Sequence, residues 1–343
     1  MLYLSTRNSH DAFTAYRTLC SDCAPDSGAF IPLSMPIFDE SEILSLQNKA
    51  FGNIIADILN RFFSAKLTGW DVEFAIGRSP SKLSVMSQKT VVAELWHSPE
   101  GRFNSFVDAL HTRLNDSNVN IQAPTEWVRT TVRIAVIFAL YGQMLSEGVL
   151  NVKETYDISV CLNDFTSLSA ASYAKRMGLP IGSIICTSAD SDFLWDIIHR
   201  GVFPAVDMNT DTRLGIERLL ASALGESAVN TMVEKHNSNR SYTLSEEEHP
   251  QFKGGMFCAV IGKSRASSII NSIYRSNSYI IDPVAALSYS GLQDYRSKTG
   301  ENRITLLLSE TSPLKHAAEI SNATGLSSES LQRLVNLNKQ GNK

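Results

Sequence analysis

Residues 94–106, ELWHSPEGRFNSF, have the outline of a segment that anchors a cofactor through a lysine. The position where that lysine would lie holds Asn104. A lysine amine forms Schiff bases because it is nucleophilic, and an amide nitrogen is not. His97 lies in the same segment, and we interpret it as a structural residue. Position 104 therefore cannot form a covalent bond to a carbonyl cofactor.

Three other patterns resemble chemical sites but lack necessary parts. Cys20 and Cys23 form a CxxC pair without further metal ligands nearby, which leaves a redox pair or two small apolar side chains. The sequence Gly-Lys-Ser at 262–264 ends like a phosphate-binding loop, but Phe257 occupies the position of its first glycine. No two histidines have the HxxxH spacing of a helical metal site. These patterns therefore predict no metal site.

The composition is that of an ordinary globular protein, with 43% hydrophobic and 19% charged residues. A net charge of −4 disfavours nucleic acid and anionic membrane surfaces as partners. No apolar run reaches the roughly 20 residues of a membrane span, and the first residues lack the pattern of a signal peptide. We expect a cytoplasmic protein that binds neither nucleic acid nor a membrane.

Hydrophobic patterning predicts the elements that would position these residues. Residues 39–64 have the apolar spacing of one or two helices after an acidic start. Residues 125–148 have the strongest helical pattern, and their nearly all-apolar middle predicts burial. From residue 156 strands and helices alternate, which predicts a parallel sheet with helices on both faces. We interpret the polar stretch 226–256 as a mobile segment.

Three separated segments resemble threonine synthase, a pyridoxal-phosphate (PLP) enzyme with the tryptophan-synthase-β fold. The first is YLSTRN…APDSGAFIP near the N-terminus, and the second is ELWHSPEGRFNSF, which resembles the family segment ELFHGPTxAFKD. The third, residues 160–203, runs without a gap against the segment that opens with PTGNFG and continues to AKKMGLPI. Weaker similarities follow, such as YIIDPVAAL to YLIDPHTAV and LSETSPLKH to LATASPxKF. The resemblance covers nearly the whole chain in order.

The resemblance implies an α/β protein with a tryptophan-synthase-β-like parallel sheet, flanking helices and a cofactor-side small lobe that is largely deleted. It divides the chain into an N-terminal region at 1–100, a remnant of the small lobe at 101–126 and a main α/β domain at 127–343. The deletion rests on spacing, because only 20 residues separate Phe106 from Trp127 where the family has most of a lobe. The family's SGDTG loop is absent from the sequence.

The departures from the family pattern fall on the chemistry. Asn104 replaces the Schiff-base lysine, and the phosphate-binding GNFG loop becomes NDFT, so that both glycines carry side chains. A carboxylate, Asp164, would face the phosphate, and Glu310 aligns with the threonine that faces the pyridine nitrogen. We name the residues at these positions the vestigial pocket: Asn104, Asn163, Asp164, Phe165, Thr166 and Glu310. The resemblance thus implies no inherited catalytic residue, and we expect PLP to be absent.

Two consequences concern ligands and partners. Asp164, Glu310 and Glu126 could converge on the vestigial pocket and bind a cation, or they could be solvated. The lost lobe would expose a surface, and the apolar helix after it needs cover from the fold or from a partner. We therefore expect a homo-oligomer or a protein partner at that surface. A small anionic or amino-acid compound is a further candidate ligand.

Our leading hypothesis is a pseudoenzyme of amino-acid or secondary-metabolite metabolism that acts by binding. The resemblance does not imply a working threonine synthase, because the nucleophile, the phosphate loop, the substrate loop and the lobe are altered together. The alternative is an enzyme of PLP-independent chemistry on a phosphorylated or amino-acid-derived substrate. Asp164 and Glu310 would then act as acid and base.

Overall fold

The computed structural model describes residues 1–77, 81–87, 89–97, 103–114, 124–162, 165–188 and 193–340. Within these ranges it describes the backbone alone at 103–106, 113–114, 161–162 and 337–340. The strands are β1 Leu2–Ser5, β2 Phe13–Thr14, β3 Phe30–Pro32, β4 Lys82–Ser87, β5 Thr90–Glu94, β6 Tyr156–Leu162, β7 Ile181–Ser188, β8 Val202–Phe203, β9 Tyr242–Thr243, β10 Met256–Val260 and β11 Thr305–Ser309.

The helices alternate with these strands through most of the chain. They are α1 Ala15–Cys20, α2 Glu40–Ser45, α3 Phe51–Phe63, α4 Gly69–Ile76, α5 Phe103–Leu114, α6 Glu126–Ser146, α7 Thr166–Arg176, α8 Phe193–Trp195, α9 Thr210–Leu224, α10 Glu226–Asn237, α11 Glu248–Lys253, α12 Ala266–Asn277, α13 Pro283–Thr299, α14 Ala317–Thr324 and α15 Ser328–Gln340. A π-helical turn, Asp196–Arg200, continues α8.

The central sheet has six strands in the order β10-β7-β6-β11-β5-β4. The first five are parallel, and β4 pairs antiparallel with β5 at the edge. The α/β sheet predicted from the sequence is confirmed, with this one antiparallel strand added. A smaller antiparallel sheet, β2-β1-β3, forms near the N-terminus. Because β4 and β5 come from the region before residue 100, that region contributes to the central sheet, and the three-part division of the chain stays a prediction.

Helices cover both faces of the central sheet because its strands carry apolar side chains on both. On β6, Ile158 and Val160 belong to the core that includes α3, α6 and α7. On the opposite face, the Ser159 hydroxyl donates to the Ser288 carbonyl of α13. Neighbouring Ile185 of β7 packs against Leu292 of α13. This arrangement is a three-layer α/β/α sandwich, and its parallel strands all end at the same edge.

Helix α6 is buried by the chain itself. Trp127 lies in edge-to-face contact with Tyr3, Phe62 and Tyr173, which come from three other parts of the chain. The helix is long and apolar enough to span a membrane, but 89% of its most apolar 18-residue stretch is buried inside the fold. It is therefore a core helix. The need to cover α6 no longer argues for a partner, because the fold supplies that cover.

The polar stretch 226–256 forms regular structure, so its interpretation as a mobile segment was wrong. It contains α10, β9 and α11 and leads into β10. Helix α10 buries Ala228, Val229 and Met232 on one face. The Asn, Ser and Glu residues that suggested mobility belong to a segment whose few apolar residues recur at helical spacing.

Candidate functional site at the carboxyl edge of the sheet

The carboxyl ends of the parallel strands lie where the family-like segments of the sequence meet. Strand β5 ends at Glu94, β6 at Leu162 and β11 at Ser309. In open α/β sheets, ligands bind in the crevice outside this edge. Helix α7 begins at Thr166, shortly after β6, so its N-terminus lies at the same edge. We call this region the carboxyl edge.

The structure describes only some residues of the vestigial pocket. Asn163 and Asp164 lie outside the described residues, and Asn104 lies in α5, where the backbone alone is described. Phe165 is buried, and a Cβ atom added at Gly215 of α9 would lie 2.3 Å from the Phe165 Cβ. Thr166 is fully buried as the first residue of α7. Phe165 and Thr166 are therefore packed residues of the interior.

Glu310 forms an ion pair that sequence reasoning missed. Its Oε2 lies 3.0 Å from Nη2 of Arg133, a nearly buried residue of α6. The Arg133 Nε donates to the Ser167 hydroxyl of α7 at 3.1 Å. Arg133 thus connects α6, α7 and the end of β11, and it balances the charge of Glu310. The sequence contained one sign of a buried ion pair, because the charged Arg133 interrupts the long apolar run of α6.

Glu126 does not join a carboxylate cluster with Glu310, so that suggestion was wrong. Its side chain is fully buried and pairs with Arg218 of α9 at 2.7 Å. Each of these two carboxylates therefore has its own arginine. Among the described residues, no group of three His, Cys, Asp or Glu side chains is placed to hold a metal ion.

Glu94 is the centre of a buried hydrogen-bond cluster. Its carboxylate accepts hydrogen bonds from Ser84 at 2.6 Å, Tyr279 at 2.8 Å and the His97 Nε2 at 2.8 Å. Burial alone would raise the pKa of Glu94, but the hydrogen bonds from His97, Ser84 and Tyr279 lower it below the usual value. The His97 ring also stacks on Trp96, with ring centroids 4.3 Å apart. Glu94 and Trp96 thus fix the histidine ring.

A second chain of hydrogen bonds joins three of the family-like segments. The Trp96 indole donates to the Ser309 hydroxyl at 3.2 Å, and Ser309 donates to Asp282 at 2.6 Å. Asp282 also caps α13 by accepting from the amides of Val284 and Ala285. Burial raises the pKa of Asp282, and these donors oppose that rise. The segments ELW, IDP and LSE therefore hold one another in place at the carboxyl edge.

The resemblance implies PLP, and the residues present do not fit a Schiff-base-bound PLP. Position 104 supplies an amide where an amine is required. Thr166 is fully buried where the family has a glycine of the phosphate loop. Glu310, at the position that faces the pyridine nitrogen in the family, is already paired with Arg133. We derive no reaction step through PLP.

Comparisons with known proteins find partial sequence similarity to threonine synthase and to threonine synthase-like proteins. The family model described as the threonine synthase N terminus matches residues 2–79. Threonine synthase-like 1 of Homo sapiens and that of Pongo abelii are each 26% identical over 180 residues, which are 47% of this chain and 23% of the relative. The chain thus spans about a quarter of the length of these relatives.

Solved structures that share the fold include threonine synthases. The yeast enzyme has a TM-score of 0.79 at 16% identity, covering 96% of this chain and 91% of that chain. The PLP-bound threonine synthase of Brucella melitensis has a TM-score of 0.76 at 18% identity, covering 95% and 92%. At these identities the structures show the fold alone. This chain therefore has the threonine synthase fold, and its residues 2–79 match the model of the threonine synthase N terminus.

Proposed function

We propose that this chain is a pseudoenzyme that acts by binding and does not carry out PLP-dependent threonine synthesis. The observation that carries the proposal is Asn104 in place of the Schiff-base lysine. The ion pair between Glu310 and Arg133 supports it, because a carboxylate and a guanidinium now occupy the end of β11. The role in amino-acid or secondary-metabolite metabolism is part of this proposal.

The hydrogen-bond clusters around Glu94 and Ser309 support a binding role. They fix the carboxyl edge with fully or nearly buried polar groups, whose hydrogen bonds are costly to break. A site with an ordered frame and altered reacting groups can still select a ligand by shape and charge. The ligand class that we propose for this edge is a small anionic or amino-acid compound.

The test is borohydride trapping of the purified protein with PLP, followed by intact mass and peptide mapping. We expect no stoichiometric adduct, whereas a PLP-dependent threonine synthase treated in parallel gives one. Lys82 pairs with Glu94 in the β4–β5 register and so lies at this edge of the sheet. A stoichiometric adduct at Lys82 or any other single lysine, lost in its Lys→Ala variant, would overturn the proposal.

The second candidate is an enzyme of PLP-independent chemistry at the same edge. The observation that favours it is the hydrogen bond between Glu94 and His97, since a carboxylate that orients a histidine is a frequent acid–base arrangement. Phosphate release from O-phosphohomoserine would measure it, with E310Q, D164N and H97N as variants. Unchanged release in all three variants would remove these residues as acid and base.

We also propose that the protein is cytoplasmic and self-associates. An aromatic pair on α4 supports self-association, because Trp70 and Phe74 are each 66% exposed and their ring centroids lie 5.3 Å apart. Helix α4 packs against α5, which belongs to the predicted remnant of the small lobe. Sedimentation velocity of the wild type and of W70S tests this. A monomeric wild type at all concentrations would contradict it.

A further inference from the structure

A cavity of about 360 Å³ lies against a face of α9 different from the one that packs on Phe165. Its walls come from α9, α10, the turn after β8 and the segment after β1. One part of the lining is apolar: Phe203, Met208, Ile216, Met232 and Val233. Cavities of this size with a mostly apolar wall and a few placed charges are typical of small-molecule sites.

The polar part of the lining is built around Glu217, which is fully buried. Its carboxylate accepts hydrogen bonds from Thr6 at 2.9 Å, from Arg7 Nη2 at 2.6 Å and from Arg213 Nη1 at 2.6 Å. Burial alone would lower the pKa of Arg7, but Glu217 raises it above its ordinary value. Two guanidinium groups therefore share one carboxylate. Counted with Asp207, the Arg, Lys, Asp and Glu side chains of the lining sum to zero, with the positive charge concentrated at Arg7 and Arg213.

Arg213 keeps donors that the protein does not use. Its Nη1 donates to Glu217 and also to the Ser27 carbonyl at 2.8 Å. Within the part of the chain that the structure describes, its Nε and Nη2 have no hydrogen-bond partner. The ion pair with Glu217 and the bond to Ser27 fix the guanidinium, and its side chain is 29% exposed. A fixed guanidinium with free donors is suited to a carboxylate, which accepts two parallel hydrogen bonds.

We propose that this cavity binds a small carboxylate with an apolar body. The carboxylate contacts the free donors of Arg213, and the apolar body packs against Phe203, Met232 and Val233. The apolar wall disfavours inorganic phosphate, which would remain solvated. Asp207 lies in the same lining, so an amino acid, whose ammonium group can face that carboxylate, and a simple carboxylic acid share the required chemistry. This site is separate from the vestigial pocket, so the proposal does not depend on the proposed function.

The test is isothermal titration of the full chain with four probes: 4-methylpentanoate, L-leucine, 4-methylpentanamide and inorganic phosphate. We expect saturable binding of at least one of the two carboxylates. The amide, which has the same shape without the charge, should bind at least 10-fold more weakly, and phosphate should not bind. Tighter binding of L-leucine identifies an amino acid as the occupant, and tighter binding of 4-methylpentanoate identifies a simple acid.

Two variants and one control locate the binding. In R213M, Glu217 keeps Arg7 and Thr6, so the fold is retained and carboxylate affinity should fall at least 10-fold. V233W fills the cavity and should abolish binding of the carboxylates. R200M removes an arginine from a comparable i,i+4 ion pair on the surface and should change nothing. No saturable carboxylate binding by the wild type, or unchanged affinity in both R213M and V233W, would overturn the proposal.

Discussion

The guanidinium of Arg218 and the carboxylate of Glu126 lie 2.7 Å apart, and both side chains are fully buried. A second contact, Arg218 Nη1 to Glu126 Oε1, is a hydrogen bond of 2.9 Å, and Arg218 Nε donates to the Phe30 carbonyl. The guanidinium also lies over the Trp127 ring. Burial would lower the pKa of Arg218, and Glu126 raises it above the ordinary value. This pair joins α6 to α9 in the core.

Removing one partner of this pair should be strongly destabilising. In R218M the Glu126 carboxylate remains buried without its cation, which costs about 3–5 kcal/mol of unfolding free energy. Urea unfolding followed by circular dichroism measures the loss. The double variant E126L/R218M should recover most of it, because neither charge then remains unpaired.

The matched control is the pair of Arg129 and Asp211, which also joins α6 to α9 but is partly exposed. R129Q should lose less than about 1 kcal/mol, since water replaces the missing partner. Equal losses in R218M and R129Q would show that burial of the first pair does not determine its contribution.

Gly215 is the close contact between α9 and Phe165. In G215A the new methyl group would lie 2.3 Å from the Phe165 Cβ, so the helix or the ring must move. Overpacking of this kind costs roughly 1–3 kcal/mol, and the better helix propensity of alanine offsets up to about 1 kcal/mol of it. We expect a net loss of about 1–2 kcal/mol in thermal unfolding. A Cβ at Gly262 would meet only the Ser264 Oγ, at an ordinary contact distance of 3.8 Å, and φ is −60°, so G262A should cost nothing.

His111 of α5 should make the protein less stable in mild acid. Burial lowers the pKa of His111 below its ordinary value of 6.5, and the nearby Asp108 opposes this only in part. As the pH falls through 6.5, the unfolded chain binds a proton before the folded one, so the free energy of unfolding falls. Urea midpoints between pH 7 and pH 5 should therefore fall less in H111Q than in the wild type.

His199 has a lowered pKa for the same main reason, burial, and should retain part of the slope in H111Q. The exposed His10 provides the control, and H10Q should follow the wild-type pH dependence. Parallel curves for H111Q and the wild type would show that His111 is not the group that titrates.

Ser309 should stabilise the carboxyl edge, because its hydroxyl links Asp282 to Trp96. In S309A the buried Asp282 carboxylate loses a 2.6 Å hydrogen bond and the indole loses its acceptor. Leaving such groups unsatisfied costs about 1–3 kcal/mol. Differential scanning calorimetry would measure the change, with S268A, at an exposed position of α12, as the control. A melting temperature equal to that of S268A would contradict the assigned link.

The sequence predicted the alternation of β6, α7, β7 and the helices that follow, because apolar period and length identify such elements directly. The N-terminal sheet was not predicted. Strands as short as Phe30–Pro32 have too few residues for a period, and their partners are distant in sequence. The antiparallel direction of β4 was not predicted either, because it depends on the turn that precedes β5 and not on composition.

At the candidate site, the sequence identified positions but not partners. Asn104 and Glu310 were singled out by resemblance, yet the arginine that pairs with Glu310 lies 177 residues away in the chain. The sequence left Glu126 either in a carboxylate cluster or in solvent, and both alternatives were wrong. Nothing local distinguishes a carboxylate that meets Arg218 in the core from one that faces solvent. Long-range ion pairs depend on how helices pack, and patterning within each helix does not determine that packing.

The buried helix α6 has a consequence for synthesis of the chain. As it leaves the ribosome, its 21 residues are apolar enough to be taken for a membrane segment or to aggregate. The helix α3, which packs against it, has already been made, whereas α7 follows and adds to the cover. The order of synthesis therefore provides the apolar helix α6 with a folding partner as soon as it emerges.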